Sequence, residues 1–252
     1  MRVFSSLVIA FSTYSRLPMP RVDWTDNNRR YALCFFPLIG LAVGGMLALW
    51  LWVCDLLGLN AFLRGAIGTV IPLVVTGGIH MDGLMDTSDA LASWQPQEKR
   101  LEILKDHHVG AFAVMVCAGY LLIMAGLLSE CTVKNAVSLT ACFALSRAAS
   151  AALSVTLKQA RPGGMLEGFA RTAAGKAVLI CAAVYGLCGV FAACARSPWG
   201  MLIPAALGLV TVYYIHMARK NFGGVTGDLA GWFLQMAELG MIAAVVLEGK
   251  LL

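Results

Sequence analysis

Apolar runs of roughly 17 to 24 residues recur at 31–54, 62–78, 109–128, 136–157, 177–195, 199–217 and 231–248. At about 1.5 Å per residue, each is long enough to cross about 30 Å of hydrocarbon with some tilt. Backbone polar groups in lipid must be satisfied within the segment, and these runs have helix length rather than the short alternating pattern of barrel strands. The fold class that follows is all-α, a polytopic integral membrane helical bundle of about seven transmembrane helices. Composition agrees, since 59% of the residues are hydrophobic and only 13% are charged, with a mean hydropathy of +0.76. Soluble domains do not reach such values.

The opening MRVFSSLVIAF run is short and leads into Ser15-Arg16-Leu17-Pro18 with no small-x-small cleavage site. It reads as a retained interfacial segment rather than a signal peptide. No internal repeat, low-complexity stretch or linker divides the chain, so residues 1–252 read as one membrane domain. The eight cysteines are scattered through apolar runs without a CxxC pair or a histidine at zinc spacing, as expected of small apolar filler. No basic cluster interleaved with aromatics is present, which argues against a nucleic-acid partner.

Basic residues orient the bundle. Fourteen of them, including Arg16, Lys105 and Arg161, fall on one side of the seven spans, and only Arg64, Lys134, Arg196 and Lys250 fall on the other. The positive-inside rule then makes the N-terminus and the connections at 79–108, 158–176 and 218–230 cytoplasmic. The acids Asp82, Asp86, Asp89, Asp106, Glu167 and Asp228 follow the same partition, although the rule barely depends on them. A polar active site on the cytoplasmic face is the economical reading.

Four constellations carry the chemistry. The first is GGIHMDGLMDTSDAL at residues 77–91, where Asp82, Asp86 and Asp89 follow an apolar run at spacings of four and three. On a helix these acids share one face within about 10 Å. With no Lys or Arg between Arg64 and Lys99 to neutralise them, they read as ligands for Mg²⁺, which prefers carboxylate and water oxygens and carries substrate phosphates. Asp82 and Asp86 are the leading ligands, and Asp89 either completes the set or acts as a base. His80 binds a phosphate, donates a proton or serves structurally.

The second constellation is Lys105-Asp106-His107-His108-x-Gly110 at the entry to the third span. Asp106 either caps that helix, with Gly110 permitting close packing, or joins the site while Lys105 neutralises phosphate. The third is Arg161-Pro162-Gly163-Gly164, flanked by Lys158, Arg171 and Lys176. A basic, Gly-rich loop opposite an acidic stripe suits a diphosphate, though such residues also satisfy topology alone. Arg147 lies well inside a span and requires a polar cavity or a carboxylate partner. The fourth is Gly223-Gly224-Val225-Thr226-Gly227-Asp228, leading into a last span in which Trp232, Gln235 and Glu238 form one stripe. Asp228 and Glu238 are both expected in the site.

Together these residues resemble the cobalamin synthase family, the adenosylcobinamide-GDP ribazoletransferases. The resemblance runs from the segment ending in Arg16-Leu17-Pro18 through Phe35-Phe-Pro-Leu-Ile-Gly40, GGIHMDGLMDTSDAL, Lys105-Asp-His-His-Val-Gly110, Ala160-Arg-Pro-Gly-Gly164 and GGVTGD to Glu238. Members usually carry Gly after the last Asp of the first motif, where this chain has Ala90. The resemblance implies a Mg²⁺-dependent enzyme of the bacterial inner membrane. It would join adenosylcobinamide-GDP and α-ribazole, or its 5′-phosphate, to give adenosylcobalamin, or its 5′-phosphate, and GMP. It also implies that Arg16, His80 and Arg147 contact substrate. Its partners would be those substrates and the lipid bilayer, with an oligomer left open. Without the resemblance the residues reach a membrane-embedded, Mg²⁺-dependent transferase acting on a phosphate or diphosphate. The alternatives are a CDP-alcohol phosphotransferase- or prenyltransferase-like enzyme and, in another class, a cation transporter. Transport would distribute acids at midplane depth rather than gather them at one face.

Overall fold

The computed structural model describes residues 2–106, 108–195 and 197–251. His107 of the second constellation and Arg196 of the charge partition lie outside the described residues. Twelve α-helices are present among the described residues, and the only extended pairing there is an isolated parallel bridge between Gln159 and Val225. Six helices are long and apolar enough to cross a membrane, or seven if one sharply bent pair counts as a span. This agrees with the expected count and makes the protein a helical membrane bundle.

The chain opens with α1 (Arg2–Tyr14) and the single turn α2 (Asp26–Arg29). The long α3 (Phe36–Leu57) follows, then α4 (Ala61–Thr76) and α5 (Ile79–Ala92). After the short α6 (Gln97–Ile103) come α7 (Ala111–Ser129), α8 (Ala136–Thr156), the short α9 (Met165–Thr172), α10 (Gly175–Cys194), α11 (Leu202–Phe222) and α12 (Gly227–Leu251). The bundle is arranged around α8 and α12, which pack on each other. In addition α8 takes α3 and α10, while α12 takes α5 and α11. Burial gives the same order: 67% of the apolar stretch of α8 and of α12 is buried within the protein, against 22% for α7 and α11 and 17% for α10. The outer helices therefore leave leucines and phenylalanines such as Leu122, Leu187 and Phe191 exposed on the outside of the bundle, the arrangement a bilayer would cover.

Glycines set the closest crossings, as expected for membrane helices. A β-carbon on Gly44 would stand 2.5 Å from the Thr140 Cα, and one on Gly40 would overlap the Phe143 carbonyl, so α3 lies directly on α8. Gly45, Gly119, Gly126 and Gly208 lie in the same apolar runs, but each faces open space. All eight cysteines are free thiols and four of them are buried, consistent with apolar filler. At the end of the bundle away from the acids, Lys250 donates to Glu130 at 2.6 Å and holds that carboxyl below its usual range. There Arg64 also pairs with Asp55 at 3.3 Å.

The bent pair positions the site. Gly77 and Gly78 adopt φ of +67° and +78° in succession, a left-handed conformation that costs glycine little. The axis turns by 97° between α4 and α5. As a result α5 leaves the direction of α4 and packs against α12 and α7.

Candidate active site

On α5 the acids and the apolar residues separate by helical spacing. His80, Gly83, Leu84 and Thr87 are buried, while Asp82 is exposed and Asp86 and Asp89 are partly buried. Contact with α12 is close because Gly83 has no side chain: a β-carbon there would reach 2.5 Å from the Asp228 carbonyl oxygen. Gly231 on α12 meets the same crossing, since a β-carbon there would stand 3.0 Å from the His80 carbonyl oxygen and 3.1 Å from the Gly83 Cα. These contacts bring Asp82, in the first turn of α5, and Asp228, in the first turn of α12, to one cavity.

A second connection delivers the arginine. Ala160 donates to the Val225 carbonyl and Val225 donates to the Lys158 carbonyl, both at 2.9 Å, pairing the start of the 158–164 loop with the GGVTGD segment. The two backbones meet where Gly224 offers no side chain, since a β-carbon there would overlap the Lys158 carbonyl oxygen. Arg161 then lies against Asp228, with Nη2 donating to Oδ2 at 3.4 Å. The Thr226 hydroxyl donates to the same oxygen at 3.4 Å and accepts from the Leu229 amide at 3.2 Å, which caps the start of α12.

Three concavities converge on the two acids. An open one of about 610 Å³ is lined by Asp82, Arg16, Gly77, Gly78 and the hydroxyl residues Ser12, Thr13 and Ser15. A small one of about 120 Å³ is lined by Arg161, Thr226 and Asp228. A third of about 290 Å³ lies between α1, α3, α5, α8, α9 and α12, with Asp82, Asp228 and His80 in its wall. Arg16 lies along Gly77, where a β-carbon would overlap its side chain. Arg161 thus lies against Asp228, and Arg16 shares the open concavity with Asp82.

The other expected residues are distributed differently. Asp89 turns away from Asp82: its Oδ2 accepts from the Gly110 amide at 2.6 Å and its Oδ1 from the Ala113 amide at 2.8 Å, so it caps α7 from the neighbouring helix. The helix cap considered for Asp106 is therefore supplied by Asp89, and Gly110 makes the expected close approach, with both Asp89 oxygens 2.6 Å from where its β-carbon would stand. Asp106 instead accepts from the His108 amide at 3.0 Å and approaches His108 Nδ1 at 2.6 Å, and both it and Lys105 are exposed in the loop after α6. Among the described residues no group of three or more His, Cys, Asp or Glu side chains is gathered to hold a metal ion, so Asp82, Asp86 and Asp89 do not form a ligand trio here. The chemistry of the donors nonetheless suits Mg²⁺, which keeps several waters and takes one or two carboxylates together with substrate phosphates. Asp82 and Asp228 supply two.

Arg147 and Glu238 lie deeper. Each is 1% exposed, and they form an ion pair in which Arg147 Nη1 donates to Glu238 Oε1. Ser146 donates to the same carboxylate oxygen at 2.9 Å, and Arg147 also donates to the Phe143 carbonyl at 3.1 Å. The arginine inside a span has its carboxylate, and neither residue lines the three concavities. His80 is also buried, in the wall of the 290 Å³ cavity. Its ring stacks on Tyr14 at 6.3 Å, and its Nε2 is buried without a hydrogen-bond partner among the described residues.

Sequence reasoning missed Tyr14, Phe36, Ser150 and Ser154, which line the 290 Å³ cavity. The serines carried a signal: Ser146, Ser150 and Ser154 recur every fourth residue along α8, a polar stripe facing inward.

Comparison with known proteins adds independent findings. The family model described as CobS, cobalamin-5-phosphate synthase, matches residues 6–246. The chain is 40% identical to an adenosylcobinamide-GDP ribazoletransferase of Lachnoclostridium phytofermentans, over 100% of this chain and 97% of that protein. Proteins of the same description from Desulfitobacterium hafniense and Clostridium perfringens are 33% and 27% identical, over 92% and 94% of this chain and 93% and 96% of theirs. No solved structure matches the chain.

Proposed function

The chain belongs to the cobalamin-5-phosphate synthase family, and we propose that Asp82 and Asp228 are the carboxylates around which its reaction is organised. The enzyme is a transferase that joins adenosylcobinamide-GDP and ribazole to make cobalamin. Family membership sets aside the CDP-alcohol phosphotransferase, prenyltransferase and transporter alternatives. In the proposed step a hydroxyl oxygen of α-ribazole, or of its 5′-phosphate, bonds to the phosphorus next to the cobinamide arm. The bond from that phosphorus to GMP breaks, and the hydroxyl proton passes to a carboxylate.

One observation carries this reading: acids from two helices far apart in sequence meet at a cavity wall, with Arg161 bonded to one of them and Arg16 sharing an open concavity with the other. When bound by Asp82 and Asp228, with Asp86 one turn further along α5, Mg²⁺ would neutralise the diphosphate and favour departure of GMP. Arg161 and Arg16 bind non-bridging oxygens, for which planar guanidinium groups are suited. Thr226 and the close backbone contact at Gly83 hold Asp228 in place. Asp89 positions α5 against α7, and the Arg147–Glu238 pair fixes α8 against α12. The excess of basic residues at this end supports a bacterial inner-membrane protein whose site faces the cytoplasm. GMP release from adenosylcobinamide-GDP by protein in lipid nanodiscs tests the assignment. It is lost in Asp82→Asn and in Asp228→Asn, and full activity in both variants would overturn it.

A further inference from the structure

Resting on that reading of the acid pair, we propose that the cavity of about 290 Å³ in whose wall Asp82 and Asp228 stand is the subsite for the benzimidazole base of ribazole. The two substrates bring three bulky groups: a corrin ring, a guanine and a dimethylbenzimidazole. The corrin, with its amide arms, far exceeds this space. Guanine carries donors and acceptors on three edges, and each one buried without a partner weakens binding. Beyond Asp82 and Asp228, which the reaction occupies, the polar groups in the cavity wall are Tyr14, His80, Ser150 and Ser154, too few to match every edge of guanine. The wall also includes Leu33, Leu166 and Leu234, and the hydroxyl of Ser154 is already committed to the Ser150 carbonyl at 2.7 Å.

Dimethylbenzimidazole joined to ribose presents two methyl groups, two flat faces and a single ring nitrogen acceptor, a demand that the cavity meets. Tyr14, Phe36 and His80 form an aromatic wall, with ring centroids 4.5 Å apart for Tyr14 and Phe36, 5.9 Å for Phe36 and His80 and 6.3 Å for Tyr14 and His80. Planar rings pack on such walls in offset or edge-on contact. Burial keeps the Tyr14 phenol protonated, so it remains a donor. The volume lies at the small end of ligand cavities, about 300–1,000 Å³, and suits a bicyclic base rather than a whole substrate. With the base seated there, its ribose lies beside Asp82 and Asp228, which directs a ribose hydroxyl at the diphosphate.

The test fills the cavity without touching the acids. Ser154→Leu removes only a hydroxyl bonded within its own helix, and Leu166→Ala enlarges the opposite wall. In nanodiscs, Ser154→Leu is expected to raise the KM for α-ribazole at least tenfold and to weaken binding of α-ribazole alone, while the KM for adenosylcobinamide-GDP stays unchanged. Leu166→Ala is expected to weaken α-ribazole binding and to bind the riboside of 5,6-diethylbenzimidazole more tightly than wild type does. The proposal is overturned if Ser154→Leu changes only the KM for adenosylcobinamide-GDP or changes neither constant. Should Ser154→Leu fail to accumulate, unaltered binding and base selectivity in Leu166→Ala overturn it equally. Failure of the acid-pair reading looks different: Asp82→Asn would stay active while Ser154→Leu still lost ribazole affinity.

Discussion

The Asp89 carboxylate on α5 accepts a 2.6 Å hydrogen bond from the amide of Gly110, the residue that opens α7, although 21 positions separate them. A second bond at 2.8 Å from the Ala113 amide completes the cap. The two helices that meet at the acidic segment are thus held by charge against a helix N-terminus. Asp89→Ala is expected to cost about 1–2 kcal/mol, the usual value of a lost cap, and to lower activity far less than Asp82→Asn. Unfolding of the purified protein in mixed detergent, alongside GMP release, checks this. Loss of Mg²⁺ affinity in Asp89→Ala with unchanged stability would assign the residue to the metal instead.

Chelation and the acid pair should behave alike. EDTA is expected to stop GMP release and excess Mg²⁺ to restore it. Asp82→Asn and Asp228→Asn should each reduce turnover about a hundredfold or more, since metal stabilisation of a transferring phosphoryl group is worth several kcal/mol. Turnover that persists in EDTA would remove Mg²⁺ from the mechanism.

Gly224 allows a prediction that touches no acid. Gly224→Val places a side chain where the Lys158 carbonyl now lies, which drives the 158–164 loop and Arg161 away from Asp228. The expected result is a raised KM for adenosylcobinamide-GDP with normal accumulation in the membrane. An unchanged KM would show that Arg161 does not bind that substrate.

The buried pair predicts a double-mutant cycle. Arg147→Met or Glu238→Leu alone leaves an unpaired charge in the interior, a cost of about 3–5 kcal/mol. Making both changes removes both charges, so the double variant should be more stable than either single one. Additive losses in an unfolding assay would refute the coupling.

Sidedness is open to direct labelling. In a background with its native cysteines replaced, a cysteine at Trp94, which is 89% exposed between α5 and α6, should react with an impermeant maleimide only in inverted vesicles. One at Val133, at the other end of the bundle, should react only in right-side-out vesicles. The reverse pattern would turn the site outward.

The bundle was legible because a helix that crosses a membrane must bury nearly all its residues in hydrocarbon or protein, and such runs stand out without tertiary information. Asp82 and Asp228 were legible as acids beside apolar runs, and Arg147 as a charge that required a partner. Its partner was not, because pairing across 91 positions depends on how α8 meets α12. The bonds of Asp89 to the start of α7 were hidden for a related reason. Helical spacing shows that three acids share a stripe, but not that a neighbouring helix begins beside the last of them. The cavity residues Tyr14 and Phe36 were not singled out, since aromatic side chains give no sign in sequence of whether they face a ligand or a helix.

The right-angled elbow at Gly77 and Gly78 has a consequence for traffic. An acid-bearing rod that swings aside instead of continuing across the bilayer forms a ledge, and reagents can meet on a ledge from two directions. An amphiphilic corrinoid arriving sideways along the lipid surface and a water-borne riboside arriving from above would converge there without either having to cross the membrane.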